Sequence, residues 1–338
     1  MPFRSLLGHR TTLPLLSRAA GAGTLPPSLI FAGPDGVGKR AAAVALAQAI
    51  NCPTPVAPTE RLPLDACGEC PVCRRISRGL HPDVTVVEPG ETGSIKIDVV
   101  REEIRKTAFK PFEARRRVII FNEAENLVDD AQSALLKTLE EPPPGSVLIL
   151  VTAQPNRLLA TVRSRCPVVR FAPLAPADVA EWLMRAHAVP ESQARAVAAV
   201  ARGSLAAARE TAQTGVEAVR EAAERVLVTV ADARDPRARL EATSDIVGKG
   251  KGSGASERES LSTHLHALAS LLRDLGALGT GSAAGVINVD LAPSLARLLP
   301  SFDAARTLRA FAAVDRGLDA LDRNASPKIV ADWVVLQL

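Results

Sequence analysis

Residues Gly33-Pro34-Asp35-Gly36-Val37-Gly38-Lys39 match the pattern G-x-x-x-x-G-K, between a short apolar run, Ser28 to Ala32, and an Ala-rich stretch of helical spacing, Lys39 to Ile50. Strand, Gly-rich turn and helix is the context in which this pattern carries chemistry. The glycines let backbone N–H groups close around phosphate oxygens, the helix N-terminus adds a favourable dipole, and the lysine reaches toward the β- and γ-phosphates. Gly33, Gly36, Gly38 and Lys39 are therefore the candidate phosphate-binding residues. The residues alone leave two readings open: a working nucleotide site, or an anion-binding turn kept for folding.

Downstream of the loop the pattern predicts an α/β layer. Val84 to Glu88, Val118 to Phe121, Val147 to Thr152 and Val168 to Phe171 are Val/Ile-rich runs, and helical patterns at Asp98 to Phe109 and Val128 to Glu141 fall between them. Strands alternating with helices imply a five-stranded, mostly parallel sheet covered on both faces. After Pro173 no strand pattern recurs: Ala177 to His187 and Glu191 to Ala201 read as short helices, and the rest is rich in Ala, Leu and Arg with helical spacing. The run 248–256, GKGKGSGAS, reads as a loop inside that helical region. Three domains result: α/β over residues 1–172, a small helical one over 173–214 and a helical one over 215–338. A length of 338 residues accommodates this at about 150 residues per domain.

The loop departs from the pattern at its eighth position, where a Ser or Thr hydroxyl binds Mg²⁺ in hydrolases; here it is Arg40, a cation with no acceptor atom. At the end of Val118 to Phe121 a metal-holding Asp is expected, and Asn122-Glu123 stands there instead. An amide is a poorer metal partner, so two changes bear on the same ion, unless Asn122 is only a turn residue. Thr152, at a strand end, reads equally as a nucleotide sensor or an ordinary strand-terminal hydroxyl. Leu135, Leu136 and Leu139 read as core rather than interface.

Cys52, Cys67, Cys70 and Cys73 form C-x14-C-x2-C-x2-C within a Pro-rich insertion that reads as irregular, at about residues 51–80. Thiolates this close suit tetrahedral Zn²⁺, with spare thiols or an oxidised pair as the alternative. Four protein ligands leave no open position, so a structural ion is expected. His81 lies nearby, but its place before Pro82 reads as a loop residue.

Composition excludes several classes. The longest apolar runs, such as Val147 to Val151, fall far short of the roughly 20 residues a membrane helix needs. No Asp or Glu precedes Asp35 whereas Arg4, Arg10 and Arg18 do, a transit-peptide-like bias, but the stretch merges into the first domain. A soluble, cytoplasmic protein is the expectation. A net charge of +4, with eight Phe, two Trp and no Tyr, disfavours single-strand recognition by aromatic shelves.

GPDGVGK, the cysteine quartet after Asn51, RRVIIFNEAENL, SALLKTLEEPP and SRC occur in that order. In this series the chain resembles the bacterial DNA polymerase III clamp-loader subunits of the AAA+ class. The likeness covers residues 1–214 and, more loosely, the remainder through its length and a closing helix at Asn324 to Leu338. It implies an α/β P-loop AAA+ domain with a zinc-binding insertion, a small helical lid, and an all-α C-terminal collar that assembles with gamma/tau and delta subunits. That assembly opens the sliding clamp and loads it on primer-template DNA. The resemblance also implies that Arg165, of Ser164-Arg165-Cys166, is an arginine finger entering a neighbouring motor subunit's nucleotide site. The chain departs from motor members at Arg40, at Asn122 and at Ala206, which stands where they carry a phosphate-sensing Arg. The expected function is a stator that acts through Arg165, with ATP admitted to the loop but not hydrolysed and no ATPase of its own. The competing readings are a gamma/tau-like motor ATPase and a zinc-dependent nucleic-acid binder.

Overall fold

Five apolar runs lie side by side as one parallel sheet. β1 (Ser28–Ala32), β2 (Val84–Val87), β3 (Arg117–Phe121), β4 (Ser146–Thr152) and β5 (Val168–Arg170) take the order β2-β3-β4-β1-β5. Every strand end falls within one residue of the sequence expectation. The computed structural model describes residues 1–90, 92–233, 235–247, 254–282, 286, 288–323 and 325–338. These divide into two compact units, Met1–Asp178 and Val179–Leu338.

In the first unit the helices are α1 (Thr12–Gly21), α2 (Lys39–Asn51), α3 (Pro71–Ser77), α4 (Ile97–Thr107), α5 (Asp129–Glu140) and α6 (Ala160–Arg163). Alternation along the strands divides the core. Leu29, Phe31, Val118, Ile120, Val147 and Ile149 pack with side chains of α1 and α2 on one face. Ile30, Ile119, Phe121, Leu148 and Leu150 pack with those of α4, α5 and α6 on the other. Each such side chain contributes about 1.5–3 kcal/mol on burial. β4 lies inside the sheet and is buried along its whole length, which is why it reads as a continuous apolar run. Alanine at 42, 43, 45, 47 and 49 lets α2 lie close to the sheet, and all five are buried. Leu135 and Leu139 are buried and Leu136 packs against them, so the stripe belongs to the core.

Two helices depart from the sequence expectation. The cysteine insertion is not wholly irregular, because α3 forms inside it with Cys70 at its N-cap and Pro71 in the first turn. Pro fits there because the first helical N–H has no intrahelical partner. α1, with Pro14 in its first turn, is a further helix that the Pro residues masked.

The second unit is helical in every described element: α7 (Pro176–His187), whose first residues fall before the division, α8 (Glu191–Val200), α9 (Leu205–Thr214), α10 (Val216–Asp232), α11 (Pro236–Glu241), α12 (Gly254–Gly279), α13 (Ala292–Leu298), α14 (Ala304–Asp322) and α15 (Pro327–Gln337). α12 forms its spine: Leu261, Leu265, Leu268, Leu271, Leu272 and Leu275 are buried against α10, α14 and α15. Of the loop expected at 248–256, residues 248–253 lie outside the described residues, and 254–256 already belong to α12. The closing helix starts at Pro327 rather than at 324, which also lies outside the described residues. No described helix is long and apolar enough to cross a membrane.

Candidate functional site

The Gly-rich loop leaves the C-terminal end of β1 at the point where the strand order turns, with β4 on one side and β5 on the other. Crevices at such switch points are where α/β sheets bind ligands. Gly33 N–H donates to the Thr152 carbonyl at 3.2 Å, and a Cβ at Gly33 would lie 2.1 Å from the Phe171 carbonyl oxygen. No side chain fits there. Gly36 and Gly38 have φ of +74° and +98°, which brings the chain round into α2 with Gly38 as its N-cap. His9 Nε2 lies 2.8 Å from the Val37 carbonyl, and its ring stands edge-on to Phe171 at 4.9 Å between centroids. Lys39 is buried, and its Nζ donates to the carbonyls of Gly33 at 2.5 Å and Pro34 at 2.7 Å. Burial lowers its pKa from the ordinary lysine value, and Asp35, 3.5 Å away, opposes that shift.

The two substituted positions meet on one carboxylate. Arg40 Nε donates to Glu88 Oε1 at 2.8 Å, and Asn122 Nδ2 donates to Glu88 Oε2 at 2.8 Å. Sheet order sets β2 beside β3, and the Asn122 N–H donates to the Val87 carbonyl. Glu88 completes this link and was not picked out from the sequence. The only available hint was a carboxylate immediately after an apolar run, and its importance depends on which strand is the neighbour.

Glu123, next in the chain, has a φ of +49°. Burial raises its carboxyl above the usual range, and Glu125, Asp35 and Glu88 push it the same way. Glu125 is buried; its Oε1 accepts the Ala153 N–H at 3.1 Å, and its Oε2 has no partner among the described residues. Thr152 is fully buried at the end of β4, where its hydroxyl oxygen accepts the Gln154 N–H at 3.0 Å.

Arg165 sits just beyond α6. Its Nη1 donates to the Thr161 carbonyl at 2.9 Å, and its Nη2 donates to Glu140 Oε1 at 2.5 Å. The side chain retains 34% of its exposure. The guanidinium is therefore oriented by a helix carbonyl and a half-exposed carboxylate at the end of α5. Ala206 lies in the first turn of α9, in the second unit, where the Ser204 hydroxyl caps the helix by accepting the Ala207 N–H.

The Sγ atoms of Cys52, Cys67, Cys70 and Cys73 all lie within 4.8 Å of one another, a set able to hold a metal ion. With Zn–S bonds of about 2.3 Å, tetrahedral sulfurs stand roughly 3.8 Å apart, and Cys52 to Cys67 is 3.6 Å. The N–H groups of Cys67, Cys70 and Cys73 donate to the sulfurs of Cys52, Cys67 and Cys70 respectively, at 3.3–3.4 Å. Such donors favour thiolate. Burial pushes the Cys67 thiol up, but the Thr54 hydroxyl and the N–H groups of Cys70 and Glu69 outweigh it and bring it to about 6. Burial instead raises the Cys52 and Cys73 thiols. Four converging sulfurs, three of them accepting backbone N–H groups, fit tetrahedral Zn²⁺. His81 lies elsewhere: it is buried, its Nδ1 accepts the Asp83 N–H, and its Nε2 is 3.5 Å from Glu113.

Residues 8–175 match the family model described as "DNA polymerase III, delta subunit". The DNA polymerase III subunit delta' of Pseudomonas aeruginosa is 38% identical over 185 residues, 54% of this chain and 54% of that protein. Its Bacillus subtilis counterpart is 34% identical over 168 residues, 49% of this chain and 48% of that protein. These matches support a delta-prime-like clamp-loader subunit of DNA polymerase III. The family match ends close to where the first unit ends, and the chain spans about half the length of these curated relatives. Within the clamp-loader family it is also similar to the tau subunit of Bacillus subtilis, 33% identical over 165 residues, 48% of this chain and 28% of that protein. A gamma subunit-related protein of Thermotoga maritima aligns over 96% of this chain and 97% of that one at 18% identity and a TM-score of 0.47.

Proposed function

We propose that the chain is the delta-prime subunit of a bacterial clamp loader, a non-hydrolysing stator that lends Arg165 to a neighbouring motor subunit. The observation that carries this reading is the Arg40–Glu88–Asn122 link. Both oxygens of one carboxylate are taken by the two substituted positions, so a cation and an amide stand where metal-assisted hydrolysis calls for a hydroxyl and an acid. Arg165, in contrast, is held at the surface by the Thr161 carbonyl and one half-exposed carboxylate, Glu140. A triphosphate is the more highly charged acceptor and would displace it. A guanidinium supplied in trans steadies the charge that spreads over the transferring phosphoryl group, an effect of about 10³–10⁵ in rate.

In this reading residues 1–172 form the AAA+ domain, 173–214 the lid and 215–338 the collar that joins gamma/tau and delta. The assembly opens the sliding clamp and loads it on primer-template DNA at the cytoplasmic replisome. A structural Zn²⁺ belongs to Cys52, Cys67, Cys70 and Cys73. ATP entering the loop would lie on Gly33, Gly36, Gly38 and Lys39 without turnover. ATP hydrolysis by the assembled loader carrying Arg165→Ala tests the proposal: a fall of about 10³-fold or more is expected, and unchanged turnover would overturn the trans role.

A gamma/tau-like motor is the second reading, favoured by the tau likeness and by the retained Lys39 and Glu123. It requires steady hydrolysis by the isolated chain, where we expect none above background.

A further inference from the structure

β2 is an edge strand: β3 covers one side of it, and no strand covers the other among the described residues. Pairing sets which of its backbone groups point outward. The Val118 N–H donates to the Asp83 carbonyl at 2.8 Å and the Asn122 N–H to the Val87 carbonyl at 2.9 Å, so in this parallel ladder residues 83, 85 and 87 turn toward β3. Val84, Val86 and Glu88 turn away. The Val84 N–H is taken by the His81 carbonyl at 3.2 Å. The Val84 carbonyl, both backbone groups of Val86 and the Glu88 N–H have no partner among the described residues.

This edge opens onto a groove of about 680 Å³. Ala41 and Val44 of α2, Ile76 of α3 and the Val84 and Val86 side chains give it apolar walls. Past α3 its rim is built rather than slack. Gly79 turns at a φ of +70° and its N–H donates to the Ile76 carbonyl at 3.1 Å, while the Leu80 N–H donates to the Arg75 carbonyl at 2.9 Å, leaving Leu80 68% exposed. Two cations, Arg40 and Arg78, line the groove against one acid, Glu88, whose oxygens Arg40 and Asn122 already hold. Arg78 is exposed and has no ion pair among the described residues.

We propose that this groove takes an extended peptide segment of a partner protein, added beside β2 as a further strand, with apolar side chains at alternate positions and a carboxylate for Arg78. A row of outward N–H and C=O groups is matched by another strand; a helix has spent its own backbone groups, and a nucleic acid offers no such alternation. Edges with no partner are usually blunted by Lys, Pro or a bulge, and none interrupts Val84–Val87. The cationic rim calls for an acidic segment, and it disfavours a second copy of this chain, whose pairing across the edge would bring like charges together. Neither Arg165 nor the Gly-rich turn takes part, so this surface stands or falls separately from the stator role.

The full chain, titrated with an octapeptide that alternates valine and glutamate, provides the test. Beside it run the same peptide with lysine for glutamate, two versions N-methylated on one or the other alternate set of amides, and an oligo-dT strand. Saturable binding is expected for the acidic peptide, with slowed hydrogen exchange at the Val86 and Glu88 amides. N-methylation of one alternate set should weaken it about tenfold or more and of the other set hardly at all, because only one edge of the added strand faces β2. Arg78→Glu should weaken it about fivefold, most at low salt. Val86→Pro removes an outward N–H and leaves the ladder to β3 in place, so about a tenfold loss is expected at an unchanged melting temperature; if that variant melts early, Arg78→Glu and the N-methyl pair carry the test. No binding by the acidic peptide, equal effects of the two N-methyl sets, or oligo-dT protecting the same amides in place of the peptide overturns the proposal. So does a dimer with those amides protected in the chain alone, which would assign the edge to a second copy.

Discussion

Asp83 and Arg165 are both charged partners in ion pairs, and burial gives them opposite roles. Asp83 is fully buried with Arg117, which retains 11% side-chain exposure. Removing one partner of such a pair leaves an uncompensated charge, so Asp83→Ala should cost about 3–5 kcal/mol, read from urea unfolding. Burial pushes the Asp83 carboxyl up, but the N–H groups of Glu113 and Phe112, the Arg117 guanidinium and the Ala114 N–H together hold it well below the usual carboxylate range. Its folded value lies below its unfolded one, so its stabilisation is complete above about pH 4 and is lost as pH falls through that value toward the depressed one. The stability gap between wild type and Asp83→Ala should shrink accordingly in acid; a gap that stays constant from pH 7 to pH 2 would contradict the assignment. Arg165 pairs with Glu140 at the surface, so Arg165→Ala should change thermal stability by no more than about 1 kcal/mol. Any loss of loader activity in that variant then belongs to chemistry rather than folding.

The cysteine insertion and the Gly-rich turn show how elements depend on what packs around them. The insertion is tied to its surroundings at several points: Gln48 of α2 donates to the Cys73 carbonyl at 2.7 Å, and Arg4 donates to the carbonyls of Ala66 at 2.5 Å and Cys67 at 2.8 Å. A structural zinc contributes about 10–16 kcal/mol of apparent binding free energy, comparable to a domain's whole stability of roughly 5–15 kcal/mol. Chelation should therefore open residues 52–80 to protease and hydrogen exchange, with one zinc released per chain; a chelated protein with unchanged protection would refute a structural ion. At the turn, Gly33→Ala drives a methyl into the backbone of Phe171, just past β5. The expected cost is about 1–3 kcal/mol, seen as a lower melting temperature whether or not nucleotide is present. The strands were legible because each is a buried apolar run. α3 was not, since Pro71 and the cysteines that begin it look like loop composition until the four sulfurs converge.

Across the whole chain, each of the two units has its own apolar core. The four cysteines lie within the first, so if they hold the proposed zinc, calorimetry after chelation should lower a transition from residues 1–178 and leave one from 179–338 in place. Motif order, strand positions, the helical character of the C-terminal half and the cysteine set could all be read along the chain, because each is a local pattern of residue type and period. Pairing could not. That Glu88 joins Arg40 to Asn122 and that Asp83 grips a loop some thirty residues away are consequences of which strands become neighbours. Contacts between strands distant in sequence leave no periodic trace, so only the folded sheet decides them.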